Sequence, residues 1–72
     1  MAYHLIQRFV PKGEQQPQYR TETFSAEPLA VIRAGEYYRA GFKGDFVIED
    51  DKGNVVTNDA DIRNRCKATR MP

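Results

Sequence analysis

Along residues 3–10 (YHLIQRFV), Tyr3, Leu5, Gln7 and Phe9 fall on one side of an extended chain and His4, Ile6, Arg8 and Val10 on the other. The run is short, rich in β-formers and closed by Pro11-Lys12-Gly13, which predicts a first strand. Both of its sides are partly apolar, whereas a strand with one solvated side alternates more cleanly. Residues 11–18 (PKGEQQPQ) combine two prolines, a glycine and three glutamines with no apolar side chain, and predict a loop. Residues 19–24 (YRTETF) set Arg20, Glu22 and Phe24 against Tyr19, Thr21 and Thr23, a second strand antiparallel to the first.

The pattern then changes period. Ser25 is placed to cap a helix, Glu27 sits in its first turn where the dipole favours an acid, and Pro28 stands where a missing amide hydrogen costs little. Ala30, Ala34 and Tyr38 recur every fourth residue, joined by Val31, Tyr37 and Gly41, so a helix over 26–40 presents a stripe of mostly small side chains to a sheet. Arg33, Glu36 and Arg39 are expected to point to water, and Gly41 to take the left-handed position past the helix end. Gly35 inside the helix and the β-branched pair Val31-Ile32 favour a competing strand over residues 29–33.

Residues 42–49 (FKGDFVIE) and 54–57 (NVVT), joined by Asp50-Asp51-Lys52-Gly53, read as a hairpin with Gly53 at the positive-φ position. Phe46 and Ile48 share one face of it, Val47 and Glu49 the other. Asn58 is a good N-cap for a short last helix with Asp59 and Asp61 in its first turn, Arg65 and Lys67 in its last, and Ile62 and Cys66 turned inward. The order β-β-α-β-β-α predicts an α+β fold: a small antiparallel sheet of three or four strands with one main helix packed on one face. Residues 1–72 form a single domain, with 67–72 expected to fray.

Composition narrows the options. A chain of 72 residues has a thin core, since domains of this size bury only about 60% of the surface their unfolded chains expose. Such cores supply roughly 3–5 kcal/mol and are commonly helped by disulfides, a metal or a partner. A single cysteine, Cys66, excludes an internal disulfide, and one histidine, His4, far from it provides no zinc pattern. Association with a second copy or with another protein is the aid that remains. No leader peptide and no long apolar run is seen, so a soluble protein of the reducing cytoplasm, without a membrane contact, is expected.

No residues stand at the spacing of a known catalytic apparatus, and neither enzyme activity nor a cofactor is expected. His4 has no Ser, Cys or Asp near it in sequence to work with, and Cys66 reads as a small buried side chain. The acidic turn is no calcium loop, because placing Gly53 at the sixth position puts Ile48 at the first, where a carboxylate is needed. Gly41-Phe42-Lys43-Gly44 is no phosphate cradle, because no Ser or Thr follows the lysine and a strand comes next.

Charge is unevenly laid out. Residues 45–61 carry a net −5 and residues 62–72 a net +4, although the whole chain is only +1. Four tyrosines and four phenylalanines are many for so small a core, and exposed Tyr with Arg is the side-chain pairing favoured at binding hot spots. A protein-binding module is therefore expected, contacting its partner through Tyr19, Tyr37, Arg39, Glu49, Asp50 and Asp51. The alternative is nucleic-acid binding, with bases stacked on Tyr3, Phe9 or Tyr19 and phosphates met by Arg63, Arg65, Lys67 and Arg70. In layout, SAEPLAVIRAGEYYRAG followed by GDFVIEDDKGNVV resembles the small ββαββ domains found among phage, plasmid and other mobile-element proteins, a resemblance covering residues 19–57. It implies an accessory protein that docks on a larger macromolecule and blocks or redirects it.

Overall fold

The computed structural model describes the backbone of residues 1–68 and the side chains of residues 1–66; the rest of the expected tail lies outside the described residues. Four strands, β1 (Tyr3–Phe9), β2 (Gln18–Phe24), β3 (Asp45–Asp50) and β4 (Val55–Thr57), form one sheet in the order β2-β1-β3-β4, with every neighbouring pair antiparallel. Helices α1 (Glu27–Arg39) and α2 (Asp59–Ala68) pack side by side on one face of it. This is the α+β order read from the sequence, with the four-stranded form of the sheet.

The strand pattern decides which face is covered. Leu5, Phe46 and Ile48 meet Ala30, Val31 and Ala34 of α1 and Ile62 of α2 in the core, all at most 6% exposed. Tyr3, Phe24, Tyr37, Tyr38, Phe42 and Cys66 pack around that centre. The partly apolar second side of β1 is explained by its position: β1 lies between β2 and β3, where Ile6 is flanked by Thr21 and Val47.

Residues 29–33 are helical, not strand. Ala30 and Ala34 are fully buried, and small side chains there let the helix lie close on the sheet. Gly35 stands inside the helix where α2 comes close: a Cβ at this position would sit 3.2 Å from Cys66 Sγ. The helix starts one residue later than expected. Ala26 takes the N-cap position in extended conformation without a side-chain cap, so Ser25 does not cap. Glu27 instead turns its carboxylate to the Thr57 hydroxyl and to Arg65.

The helix ends as the glycine predicts. Gly41 has φ 97°, the Gly41 amide donates to Tyr38 O at 3.1 Å, and the Phe42 amide donates to Tyr37 O at 3.0 Å. That pair of bonds is a Schellman cap, with Phe42 folded back on Tyr37 as its apolar contact. Because Phe42 is used there, β3 starts at Asp45 rather than at residue 42. Between them Gly44 passes so close to the Arg8 carbonyl and the Phe42 ring that there is no room for a Cβ.

The β3–β4 turn forms as read. Gly53 has φ 83° and donates its amide to Asp50 O at 3.0 Å. Past the turn, the register slips at Ile48/Glu49. Asn58 caps α2, its Oδ1 accepting the Asp61 amide at 2.9 Å.

Candidate binding face

The side of the sheet away from the helices carries no covering element among the described residues. Strand alternation and register place three cross-strand rows on it: Tyr19, Arg8 and Asp45; Thr21, Ile6 and Val47; and Thr23, His4, Glu49 and Val55. The middle row puts Ile6 and Val47 side by side at the centre, half-buried only by their neighbours. Tyr19 stands 61% exposed at the β2 edge, and Val55 and Val56 are 55% and 45% exposed on β4 at the other. An apolar strip from Tyr19 through Ile6 and Val47 to Val55 thus crosses the bare sheet, with polar residues along its sides.

Polar contacts order its sides. Arg8 pairs with Asp45 across the strands at 3.6 Å, an exposed pair that adds little stability. His4 lies within hydrogen-bond distance of the Thr23 hydroxyl, 3.0 Å from Nδ1, and its Nε2 is 3.4 Å from Asp51. Asp51 also accepts the Ala2 amide at 3.0 Å, which pins the chain start to the acidic turn. Asp50 is occupied by its own turn: Oδ1 accepts the amides of Lys52 at 2.8 Å and Asn54 at 3.0 Å. Those hydrogen bonds, Asn54 first, hold its carboxyl below the usual carboxylate range.

The six side chains expected to meet a protein partner are therefore divided. Tyr19 and Glu49 lie on the bare face, and Asp51 stands beside it through His4. Tyr37 is only half-buried, but its ring is turned inward. Its ring packs on Phe46 at 5.5 Å and Phe42 at 6.2 Å, while its hydroxyl donates to Glu22. That bond and burial raise the Tyr37 phenol above its ordinary value. Arg33 keeps its side chain largely in water, as expected, while donating from Nε to Glu22 at 3.1 Å and lying 4.4 Å above the Tyr37 ring. Arg39 is on the opposite side of the molecule, where Pro28, Val31, Ile32, Gly35, Arg65 and Cys66 line a groove of about 410 Å³ between the helices with it.

The basic set is partly engaged within the fold. Arg63 pairs with Asp59 at 2.6 Å and covers the Tyr38 ring at 4.5 Å; Arg65 pairs with Glu27 at 2.6 Å. The Arg65 bond holds the Glu27 carboxyl below its ordinary range. The Lys67 side chain and Arg70 lie outside the described residues. Of the three aromatics expected to stack bases, only Tyr19 faces outward. Tyr3 packs against the core, and Phe9 meets Phe42 edge-on at 6.3 Å beneath Arg20.

Among the described residues no three His, Cys, Asp or Glu side chains gather as metal ligands would. Burial pushes the Cys66 thiol up, away from the thiolate a nucleophile needs. Among the described residues no helix is long and apolar enough to cross a membrane.

Ile6, Val47 and Val55, the apolar part of the bare face, were not among the expected site residues. Their signal was present as the two-sided apolar character of residues 3–10 and the outward Val47 of the hairpin. Compared with known protein families, with curated proteins and with solved structures, the chain shows no match.

Proposed function

We propose that the chain is a small non-enzymatic binding module whose bare sheet face docks on a protein partner, and that it acts as a regulator or inhibitor by occupying that partner's surface. The observation carrying this reading is the uncovered apolar strip of Ile6 and Val47, with Tyr19 at one end and Val55 at the other. Open apolar patches rimmed by polar groups mark interaction sites. Asp45, Glu49 and Asp51 outnumber Arg8 around the strip, so the complementary partner surface is apolar with a basic rim. The same acidic rim, and the internal pairing of Arg63 and Arg65, favour protein over nucleic acid as the ligand.

The test has two stages. Affinity capture from the native host identifies what co-purifies, and purified partner is then titrated with wild type, Tyr19→Ala and Val47→Lys, each checked for native circular dichroism. Both variants are expected to bind at least about tenfold more weakly, as loss of interface anchors does. Unchanged affinity in two folded variants rejects this face; capture of nucleic acid alone rejects the protein reading.

A further inference from the structure

The two edges of the sheet are not alike. β4 is three residues long and its pairing slips register beside Glu49, so it offers little to another strand; short, bulged edges are how sheets avoid unwanted pairing. β2 is seven residues long, pairs with β1 in unbroken register, contains no proline or glycine, and has five of its residues exposed. Pro17 stops just short of it. A long edge of unbroken register, with nothing paired to it among the described residues, presents backbone donors and acceptors ready for another strand.

The sequence of this edge is self-complementary. When β2 is laid antiparallel against itself with Thr21 on the two-fold axis, Arg20 stands opposite Glu22 of the second copy, and the axis repeats that pair. Tyr19 likewise stands opposite Thr23 of the second copy, an aromatic and β-branched pair on the outer face. Opposite charges and aromatic–β-branched pairs are the cross-strand combinations that stabilise antiparallel sheets. A register moved by two residues either way loses this: with Arg20 on the axis it faces its own copy, and the same holds for Glu22.

The helix layer agrees with this placement. α1 lies over β1 and β2 alike, so with strands spaced about 4.8 Å apart the two copies of α1 would run about 10 Å from each other, a normal helix-packing distance. Arg33 reaches from α1 toward the β2 edge through Glu22. Leu29 and Glu36, four residues before and three after it, share that side of the helix; Leu29 is 46% exposed there, and Glu36 already accepts from Arg33 at 2.9 Å. The flank beside the axis thus combines an exposed leucine with one acid and one base that can exchange partners between copies.

From this we infer that the chain forms a two-fold dimer through β2, joining two sheets into one of eight strands. The two-fold closes the assembly, because the edges left outside are the short β4 strands. The surface used is the β2 edge; Tyr19 borders both it and the face assigned to a protein partner, whereas Val47 belongs to that face alone, so Val47→Lys lets each reading fail separately.

Sedimentation of the full chain across a concentration series measures association, and Arg20→Glu, which sets like charges opposite each other twice, is expected to weaken the dimer about tenfold. Register is read by cross-linking in a Cys66→Ala background. Thr21→Cys puts two thiols across the axis within disulfide reach, whereas in Thr23→Cys they are four residues, about 13 Å, apart. Rapid covalent dimer from the first variant and none from the second supports the pairing. A chain that stays monomeric, an unchanged dimer in Arg20→Glu, or equal cross-linking at both positions overturns it. A monomer that still captures its protein partner would remove the dimer and leave the sheet-face reading in place.

Discussion

Asp59 is the test of how the two layers are held together. If the β3–β4 register continued, position 59 would lie opposite Phe46, but the chain has already turned into α2. The Asp59 carboxylate takes the place of the missing strand carbonyl, accepting the Phe46 amide at 2.9 Å and the Tyr38 hydroxyl, and pairing with Arg63 at 2.6 Å. Phe46 is 2% exposed, so removing its acceptor strands a buried amide at about 1–3 kcal/mol. Loss of the Tyr38 bond to this charged group adds about 1.5 kcal/mol, the low end for such bonds because the Asp59 side chain is partly exposed, while the exposed Arg63 pair adds little. Asp59→Ala is therefore expected to cost about 3 kcal/mol, on the order of 15 °C in Tm for a domain of this size. Asp59→Asn keeps one acceptor oxygen and should cost about half as much.

The pH dependence has a definite sign. Burial pushes the Asp59 carboxyl up, but the bonds from Tyr38, Phe46 and Arg63 outweigh it and hold it below the ordinary value. A carboxyl depressed in the folded state stabilises above the unfolded value, near pH 4, and that contribution is lost as pH falls through the lower folded value. Wild type should thus lose stability below about pH 4, and Asp59→Asn should lose less. Urea unfolding followed by circular dichroism at pH 7 and pH 3 measures both quantities. Asp61→Ala, in the same helical turn but exposed, serves as control and should change stability by no more than about 0.5 kcal/mol. An Asp59→Ala cost below about 1 kcal/mol, or one equal to that of Asp61→Ala, would refute the reasoning.

Two further substitutions probe close approaches. Gly44→Ala would drive a Cβ into the Arg8 carbonyl and the Phe42 ring, and should destabilise by more than about 3 kcal/mol in the same assay; a native-like midpoint would show that the approach is not obligatory. Gly35→Ala should add about 1 kcal/mol of helix preference when Cys66 is first changed to alanine, and clearly less when the sulfur, 3.2 Å from the new methyl, is retained. Equal effects in the two backgrounds would mean that the α1–α2 contact does not select glycine.

Much of the fold was legible because the chain's local signals agree with its tertiary structure. The alternation read over residues 3–10 and 19–24, observed as strands Tyr3–Phe9 and Gln18–Phe24, Asn58 as a cap and Gly41 and Gly53 at left-handed positions all survive in the folded protein. Gly35 and Val31-Ile32 misled because their reason is tertiary: the glycine admits Cys66, and Val31 contributes to the core. Ser25 misled because its cap competes with an extended Ala26 that delivers Glu27 to Thr57. The site was less legible. Aromatic count suggested several exposed rings, yet Phe9, Tyr37, Tyr38, Phe42 and Phe46 form one connected cluster, with Phe42 and Phe46 4.8 Å apart. No periodicity could say that Phe42 folds back across a helix cap to join them.

That cluster also explains why the opposite side of the sheet is bare. Five rings gather on the helix side, around the ends of α1 and β3, and fill the space between layers without help from a second helical layer. Among the described residues no element is left to cover the other face once α1 and α2 lie together. Ile6 and Val47 nevertheless occupy the centre of that face, where polar residues such as Thr21 would satisfy a sheet meant only for water. Keeping two β-branched aliphatic residues there costs folding nothing, because each still packs on its cross-strand neighbour. On the function proposed above, that remaining apolar area is buried when a partner with a basic rim docks on it.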